Sequence, residues 1–284
     1  MLMYENSETY NILSNQNYLT PSRYISGRIV EYDIRSANIS ILRTKNIISE
    51  DEYINLYNMP KKQREIEIGL RIKNDSSIYE SIKEGIKEAR LELGKSNIIN
   101  PDSIVRIAND AVYINSNIDL KNTKFGNYVE FRKKSAYNIM IQLYNIIIFL
   151  AFLPDGNLDI DVKGLGEENI KLHEDFILYT IISTIVIKER SGTIAAISYL
   201  TDICEKYIHY NLPVGYYREF NSESSYRLKY TIPGNTVNMT RMPGYNLGIN
   251  NVSEYDKNSL DINYNYSVLR ELWSILIEFY NIGR

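Results

Sequence analysis

Two aspartates stand inside apolar, β-branched segments of the sequence. Asp33 lies in "IVEYDIRSANISIL", a run bounded by Arg28 and Arg43, and Asp110 lies in "IVRIANDAVYIN", next to Asn109. A carboxylate in the middle of a buried strand is costly unless it is paired or binds a cation. Each aspartate alone therefore suggests a residue that finishes a turn, whereas two in one small sheet suggest a site.

The pair would suit a hard divalent cation. A long helical segment between them carries the chain back, so neighbouring strands can bring Asp33 and Asp110 to one end of a sheet. Carboxylate oxygens favour Mg²⁺ or Mn²⁺ over zinc. The two histidines, His173 and His209, form no His/Cys cluster that would compete for the metal role.

The helical segment is amphipathic. "SIYESIKEGIKEARLELG" places an apolar stripe on one face and charged side chains on the other, which predicts a helix packed on the sheet. Ser77 and Glu80 match a capping box, and Gly94 suits the left-handed position after a helix. Upstream, the segment on both sides of Met59 and Pro60 predicts a short helical hairpin, because proline disfavours helix in the preceding residue.

The segment Tyr137–Gly156 has the composition of a short membrane span. Its uninterrupted apolar part, Ile146–Leu153, is eight residues, far below the roughly 20 that a bilayer core requires. We predict instead a β-hairpin over Ile146–Lys163, turning at "PDG". Farther on, two buried helices joined by "RSG" and a closing helix at "DINYNYSVLRELWSILIEFY" are expected.

Composition sets broader limits. A chain of 284 residues with 44% hydrophobic residues suits one large domain or two modest ones. The chain has 32 basic and 35 acidic residues, so it has no overall positive charge that would attract nucleic acid. Nucleic-acid binding would therefore depend on a local basic groove. The single cysteine, Cys204, and an N-terminus without signal-peptide features predict a cytoplasmic protein, in the host cytoplasm if phage-encoded.

The two aspartate segments resemble catalytic motifs of family B DNA polymerases. "YDIRSANISIL" is similar to the first motif, DxxSLYPS, with Asp33, Ser36 and Ser40 at matching positions. "IANDAVYI" is similar to the third motif, DTDS, with Asp110 at its second aspartate. "LPDGNLDIDVKGLG" resembles the strand pair that follows and ends in Lys163 and a glycine. The resemblance covers about residues 29–166 and suggests a reduced or divergent palm of phage type.

The resemblance implies an α+β fold in which a polymerase-like palm, an antiparallel sheet backed by helices, is followed by a helical thumb-like region. The implied organisation is an irregular N-terminal arm over residues 1–27, a palm-like domain over 28–168 with minimal fingers at about 46–73, and a mainly helical region over 169–284.

The resemblance also implies roles for individual residues. Asp33, Asp110 and the main-chain carbonyl of Ile34 would hold Mg²⁺ or Mn²⁺ during nucleotidyl transfer. The expected nucleotide-binding residues are Arg35, Ser36, Ala37, Asn38, Lys62 and Arg64. The expected nucleic-acid contacts are Lys163, Tyr217, Arg218, Arg227 and Lys229. The partners would be primer-template nucleic acid, nucleoside triphosphates and, in a divided polymerase, another polymerase chain; no membrane is implied.

Three departures from the family pattern bear on activity. Asn38 stands where the family has the tyrosine that excludes a 2′-hydroxyl, which opens the choice between DNA and RNA products. Ala108 replaces the first aspartate of DTDS, leaving one carboxylate fewer. The second motif, KxxxNSxYG, has no convincing counterpart in "KKQREIEIGLRIK".

Three hypotheses follow. The first is a metal-dependent nucleotidyltransferase: a minimal DNA polymerase, a primase-like enzyme, or the palm and thumb part of a divided polymerase. The second is a catalytically degenerate palm that acts as a nucleic-acid-binding or accessory subunit of a replication or transcription complex. The third is an unrelated structural or interaction protein whose two aspartates only finish turns.

Overall fold

The computed structural model describes residues 7–143, 146–155, 158–163, 174–209, 211–212, 225–232 and 235–243, together with residues 270, 273, 274 and 277. The chain divides into two compact units, which we describe separately. Unit 1 comprises Met1–Ser22 and Ser26–Ile139, and unit 2 comprises Arg23–Ile25 and Met140–Arg284. The predicted boundary at residue 168 lies outside the described residues.

Unit 1 contains five helices and the strands of an antiparallel sheet. In chain order its elements are α1 (Glu8–Ser14), β1 (Asn17–Leu19), β2 (Tyr24–Ile34), α2 (Ala37–Thr44), α3 (Glu50–Asn58), α4 (Lys61–Asn74), α5 (Ser77–Ser96), β3 (Ile104–Ala108), β4 (Ala111–Asn115), β5 (Lys124–Phe125) and β6 (Val129–Leu143). The first two residues of β2, Tyr24 and Ile25, and the last residues of β6, from Met140, belong to unit 2.

The sheet of unit 1 has the strand order β1-β3-β4-β2-β6. The pairs β1–β3, β3–β4 and β4–β2 are all antiparallel. One face of β2 contributes Val30, Tyr32 and Ile34 to a core shared with Leu42 of α2 and Ile86 of α5. The predicted α+β class, with an antiparallel sheet backed by helices, is confirmed.

The amphipathic helix α5 forms as predicted, but its ends differ. Ile82, Ile86, Ala89 and Leu93 are buried on one stripe. The predicted capping box is wrong: the helix begins one residue after Ser76, and the carboxylate of Asp75 accepts a hydrogen bond from the Ser77 amide at 2.9 Å. The helix also continues through Gly94 to Ser96, so that glycine lies inside the helix and not beyond it.

The N-terminal segment is not the irregular arm that its polar composition predicts. Ser7 caps α1 by accepting a hydrogen bond from the Tyr10 amide at 3.1 Å. Ile12 and Leu13 are buried in the core cluster, and β1 pairs with β3. Helix α1 packs against α5, and β1 pairs with β3, so distant elements hold the segment in place.

The described residues of unit 2 include two hairpins, two helices with described bounds, and the helical residues 270, 273, 274 and 277. The predicted hairpin is confirmed as β7 (Ile146–Phe152) paired antiparallel with β8 (Leu158–Lys163), and the two predicted helices as α6 (Glu174–Ser191) and α7 (Thr193–Ile208). An unexpected hairpin follows, β9 (Ser225–Ile232) with β10 (Asn235–Pro243), in a region expected to be mainly helical. Most of the predicted closing helix lies outside the described residues. None of the described helices meets the length and hydropathy that a membrane-spanning helix needs.

Candidate active site

Asp33 lies near the end of β2, one residue before that strand finishes. The register pairs Asp33 with Ala111, the first residue of β4. Since side chains alternate along a strand, Asp33 points to the face opposite the core residues Tyr32 and Ile34. The two-residue alternation of the strand therefore keeps this carboxylate out of the apolar core, and its side chain is 28% exposed.

Asp110 lies in the two-residue loop that joins β3 to β4. Asn109, the first residue of the loop, has a left-handed backbone with φ of 53°. Asparagine tolerates that conformation better than most residues, which allows so tight a hairpin. The loop brings Asp110 beside the end of β2, because Ala111 is the register partner of Asp33.

The carboxyl groups of Asp33 and Asp110 are neighbours that interact through charge and through a side-chain hydrogen bond. Burial, and then the negative charge of Asp33, raise the pKa of the Asp110 carboxyl to about 6. The backbone amide of Asp110, which donates to its own carboxylate, and the charge of Lys134 oppose that rise. Two carboxylates this close repel one another unless a proton or cation lies between them.

A lysine from β6 reaches the same place. Lys134 Nζ lies 3.3 Å from Asp33 Oδ2 and 2.9 Å from Glu31 Oε1. Glu31 is only 2% exposed and also accepts a hydrogen bond from the Tyr137 hydroxyl at 3.2 Å. The hydrogen bond with Glu31 is the main cause that raises the pKa of Lys134. We call Glu31, Asp33, Asp110 and Lys134 the acidic floor.

The acidic floor opens into a cleft of about 470 Å³ within unit 1. The cleft is formed by the end of β2, the start of α2, the start of α4 and the β3–β4 loop. It is lined by Asp33, Ile34, Arg35, Ser36, Ala37, Asn38, Ile39, Lys61, Arg64, Glu65, Ile68, Asn109 and Asp110. The volume lies in the range typical of small-molecule sites.

The start of α2 contributes backbone groups to the cleft. Ser36, its N-cap residue, has a left-handed backbone with φ of 52°. Within the described structure its hydroxyl makes no capping hydrogen bond to the helix. The first amides of a helix carry a partial positive charge that favours an anion, and Ala37 and Asn38 present this end of α2 to the cleft.

Three basic residues also line the cleft, and we call Arg35, Lys61 and Arg64 the basic wall. The guanidinium of Arg35 lies 5.1 Å from the centre of the Tyr57 ring, a cation–π contact. Arg64 Nη1 donates to the carbonyl of Tyr57 at 3.4 Å.

The predicted nucleotide-binding set is therefore largely brought together. Asp33, Asp110, Ile34, Arg35–Asn38 and Arg64 line one cleft. Lys62 is exposed and is not among the described residues that line the cleft. Its neighbour Lys61 lines the cleft instead, because residues three apart, such as 61 and 64, lie on the same side of a helix.

The predicted nucleic-acid contacts fall in unit 2. Lys163, on β8, forms an ion pair with Asp161 at 2.8 Å. Arg227 and Lys229 lie on β9. Tyr217 and Arg218 lie outside the described residues. The roles assigned to these five residues stay predictions.

The donor set of the floor fits a hard divalent cation. Asp33 and Asp110 supply neighbouring carboxylate oxygens, and Ile34 lines the same cleft. Burial and the nearby charge of Asp33 both raise the pKa of Asp110, and a bound cation would oppose both effects by stabilising the ionised carboxylate. In the described part of the chain no group of three or more His, Cys, Asp or Glu residues is placed to hold a metal, so the remaining ligands would be water or substrate oxygens.

Four residues around the site were missed by sequence reasoning. Glu31 could have been found from the sequence, because it lies two residues before Asp33 and therefore on the same face of the strand. Arg90 could also have been found, because it is a charged residue that interrupts the apolar stripe of α5 between Ile86 and Leu93. Lys61 and Lys134 could not have been found, since their positions depend on how distant elements pack.

A comparison with protein families identifies the family of the chain. The model of the family described as bacteriophage PBS1 gene 130 protein matches residues 8–276 of the chain. That range covers nearly the whole sequence and includes both aspartates of the floor. The chain matches no curated protein sequence.

Proposed function

We propose that this chain, which belongs to the family of the bacteriophage PBS1 gene 130 protein, is a metal-dependent nucleotidyltransferase. It would be a minimal DNA polymerase, a primase-like enzyme, or the palm and thumb part of a polymerase divided between chains. The observation that carries the proposal is one cleft that is lined both by two neighbouring carboxylates, Asp33 and Asp110, and by three cations of the basic wall. Under this proposal the protein acts in the host cytoplasm.

The geometry suits a substrate that carries both a metal ion and a polyphosphate. Asp33 and Asp110 would hold Mg²⁺ or Mn²⁺, which supplies charge neutralisation at the reacting phosphate and activation of the attacking hydroxyl. Arg35, Lys61 and Arg64 would bind the non-reacting phosphate oxygens, and the start of α2 would add backbone amides. The cleft would thus orient a nucleoside triphosphate with its reacting phosphate over the floor.

Asn38 lines the same cleft and bears on the choice of sugar. It is smaller than the tyrosine that the resemblance leads one to expect at this position. A ribonucleotide would therefore meet less steric exclusion at its 2′-hydroxyl. We expect incorporation of both sugar types.

Primer extension by the purified full-length chain tests the proposal. Extension should require Mg²⁺ or Mn²⁺ and should fall by about a thousandfold or more in Asp33→Asn and in Asp110→Asn, because each removes charge stabilisation at the reacting centre. Asp102→Asn, which removes an exposed carboxylate from the turn before β3, is the matched control and should retain full activity. Equal extension by either floor variant and the wild type would overturn the proposal.

One observation favours a second candidate, a catalytically degenerate palm that serves as a nucleic-acid-binding or accessory subunit. Lys134 already supplies a cation to Asp33 and Glu31, so the floor is partly neutralised without metal. This candidate predicts nucleic-acid binding in excess EDTA that survives Asp33→Asn, with no extension by the wild type. Extension that depends on metal would rule it out.

A further inference from the structure

Arg90 is a buried arginine that joins two separate segments of unit 1. It lies on α5 and is 2% exposed. Its Nε donates to the carbonyl of Leu13 in α1 at 2.9 Å, and its Nη1 donates to the carbonyl of Asn109 in the β3–β4 loop. Burying an arginine side chain is costly, so such a residue indicates a demand for its particular donor geometry.

The loop residue Asn109 is fixed through both of its backbone groups. Its amide donates to the carbonyl of Gln16 at 2.9 Å, and its carbonyl accepts from Arg90. These contacts hold the left-handed conformation of Asn109 on which the tight loop depends.

The same contacts set the direction of the next amide. In a planar trans peptide the carbonyl and the amide hydrogen point in opposite directions. With the Asn109 carbonyl directed at Arg90, the amide of Asp110 points away from the guanidinium and donates to the carboxylate of Asp110. The orientation of that carboxylate in the cleft is thus coupled to a hydrogen bond made on the other side of the peptide plane.

We propose that Arg90 is a positioning residue for the cation site. It fixes the peptide plane between Asn109 and Asp110, and through that plane the carboxylate of Asp110. Because it also holds Leu13, it makes α1 part of the support of the site. The cation-binding part of this inference rests on the proposed function, whereas the fixing of the loop does not.

Burial lowers the pKa of Arg90 to about 10, while the nearby charge of Asp110 acts to raise it. The guanidinium therefore stays charged at neutral pH. A charged donor polarises the peptide that it binds, which strengthens the amide on the opposite side as a donor to the Asp110 carboxylate.

Mn²⁺ binding to full-length variants tests the cation-binding part. In Arg90→Met, shown to be folded by circular dichroism, the Mn²⁺ dissociation constant measured by electron paramagnetic resonance should rise by about tenfold or more, the size seen for residues that orient metal ligands. In Arg90→Lys, which keeps the charge but cannot bind both carbonyls, the rise should be smaller but measurable. Lys87→Met, which removes an exposed cation from the same helix, should change the constant by less than about twofold.

Unchanged Mn²⁺ affinity in a folded Arg90→Met protein would overturn the inference. Wild-type affinity in Arg90→Lys would also overturn it, because charge alone would then explain the effect. If the wild type itself binds no Mn²⁺, the proposed function fails, and the loop is tested separately.

Amide hydrogen exchange on the metal-free protein provides that separate test and also applies where Arg90→Met does not fold. In Arg90→Lys the amides of Asn109 and Leu13 should exchange about tenfold faster or more, because both ends of the tether are loosened. The amides of Val112 and Ile114 in β4 should keep their rates. Exchange at Asn109 that is unaffected by Arg90→Lys would show that the arginine does not fix the loop.

Discussion

The acidic floor and the basic wall of the cleft carry opposite charges. They also differ in how firmly their side chains are held in place. In the floor, Glu31 is buried and Asp110 lies in a loop fixed by backbone hydrogen bonds. In the wall, Lys61 pairs with Glu65 at 3.7 Å, with 81% and 57% of the two side chains exposed. The floor thus has a fixed geometry that stores an electrostatic cost, whereas the wall combines a largely exposed lysine with two arginines that contact Tyr57.

The largest effect on folding should come from Asp110→Asn in the absence of metal. The pKa of Asp110 is raised to about 6 in the folded protein, so the unfolded chain ionises first as pH rises and the folded state loses stability between about pH 4 and 6. Above that window Asp110→Asn should be more stable than wild type by about 1 to 3 kcal/mol, and below it the gain should vanish.

Urea unfolding in EDTA at about pH 8 and pH 4 checks this prediction. Adding Mg²⁺ at the higher pH should reverse the order of stability, because only the wild type keeps both carboxylates for the cation. Asp102→Asn is the control, and its stability relative to wild type should not depend on pH in this way. A gain of the same size at both pH values would mean that the charge of Asp110 is not the cause.

The next effect should come from Lys134→Met. This change leaves Glu31 buried with the hydroxyl of Tyr137 but without its ammonium partner, and it should lower the free energy of unfolding by about 1 to 2 kcal/mol, since Lys134 is half exposed. Mg²⁺ should bind more tightly, because a competing cation 3.3 Å from Asp33 is removed. Lys134→Arg should preserve stability. Weaker Mg²⁺ binding in Lys134→Met would show that the lysine supports the cation site and does not compete with it.

The smallest effects should come from the wall. Arg64→Gln should weaken nucleoside triphosphate binding by about tenfold, the loss expected for one charge-assisted contact in a partly exposed site. Lys62→Gln, two positions away on the same helix and exposed, should change binding by less than about twofold. Equilibrium binding of a fluorescent nucleotide compares them. Equal losses in the two variants would mean that general positive charge, and not the cleft, binds the phosphates.

Much of the fold could be predicted from local patterns. The stripe of α5, the break at Pro60 and the hairpin of β7 and β8 follow from periodicity and turn residues, which act over a few positions. Helix α1 did not follow, because its polar composition hides the apolar residues that pack against the distant helix α5. The hairpin of β9 and β10 did not follow either, because its basic residues were assigned to nucleic-acid contact in a region expected to be helical.

The site divides in the same way. Asp33 and Asp110 were predictable because a carboxylate in an apolar strand violates the pattern around it. Lys134 and Lys61 occupy ordinary surface positions in sequence, and only the packing of β6 and α4 brings them to the cleft. Sequence therefore indicates where the charge is costly, and the structure indicates what offsets it.

The most direct test of the central claim is a crystal of the full-length protein soaked in Mn²⁺, with the anomalous difference map calculated at the manganese edge. We predict a peak between Asp33 and Asp110, with a carboxylate oxygen of each at about 2 Å, as expected for hard cations with oxygen ligands. The peak should be absent from Asp110→Asn. A wild-type map with no peak there, and with Lys134 still bound to Asp33, would contradict the account.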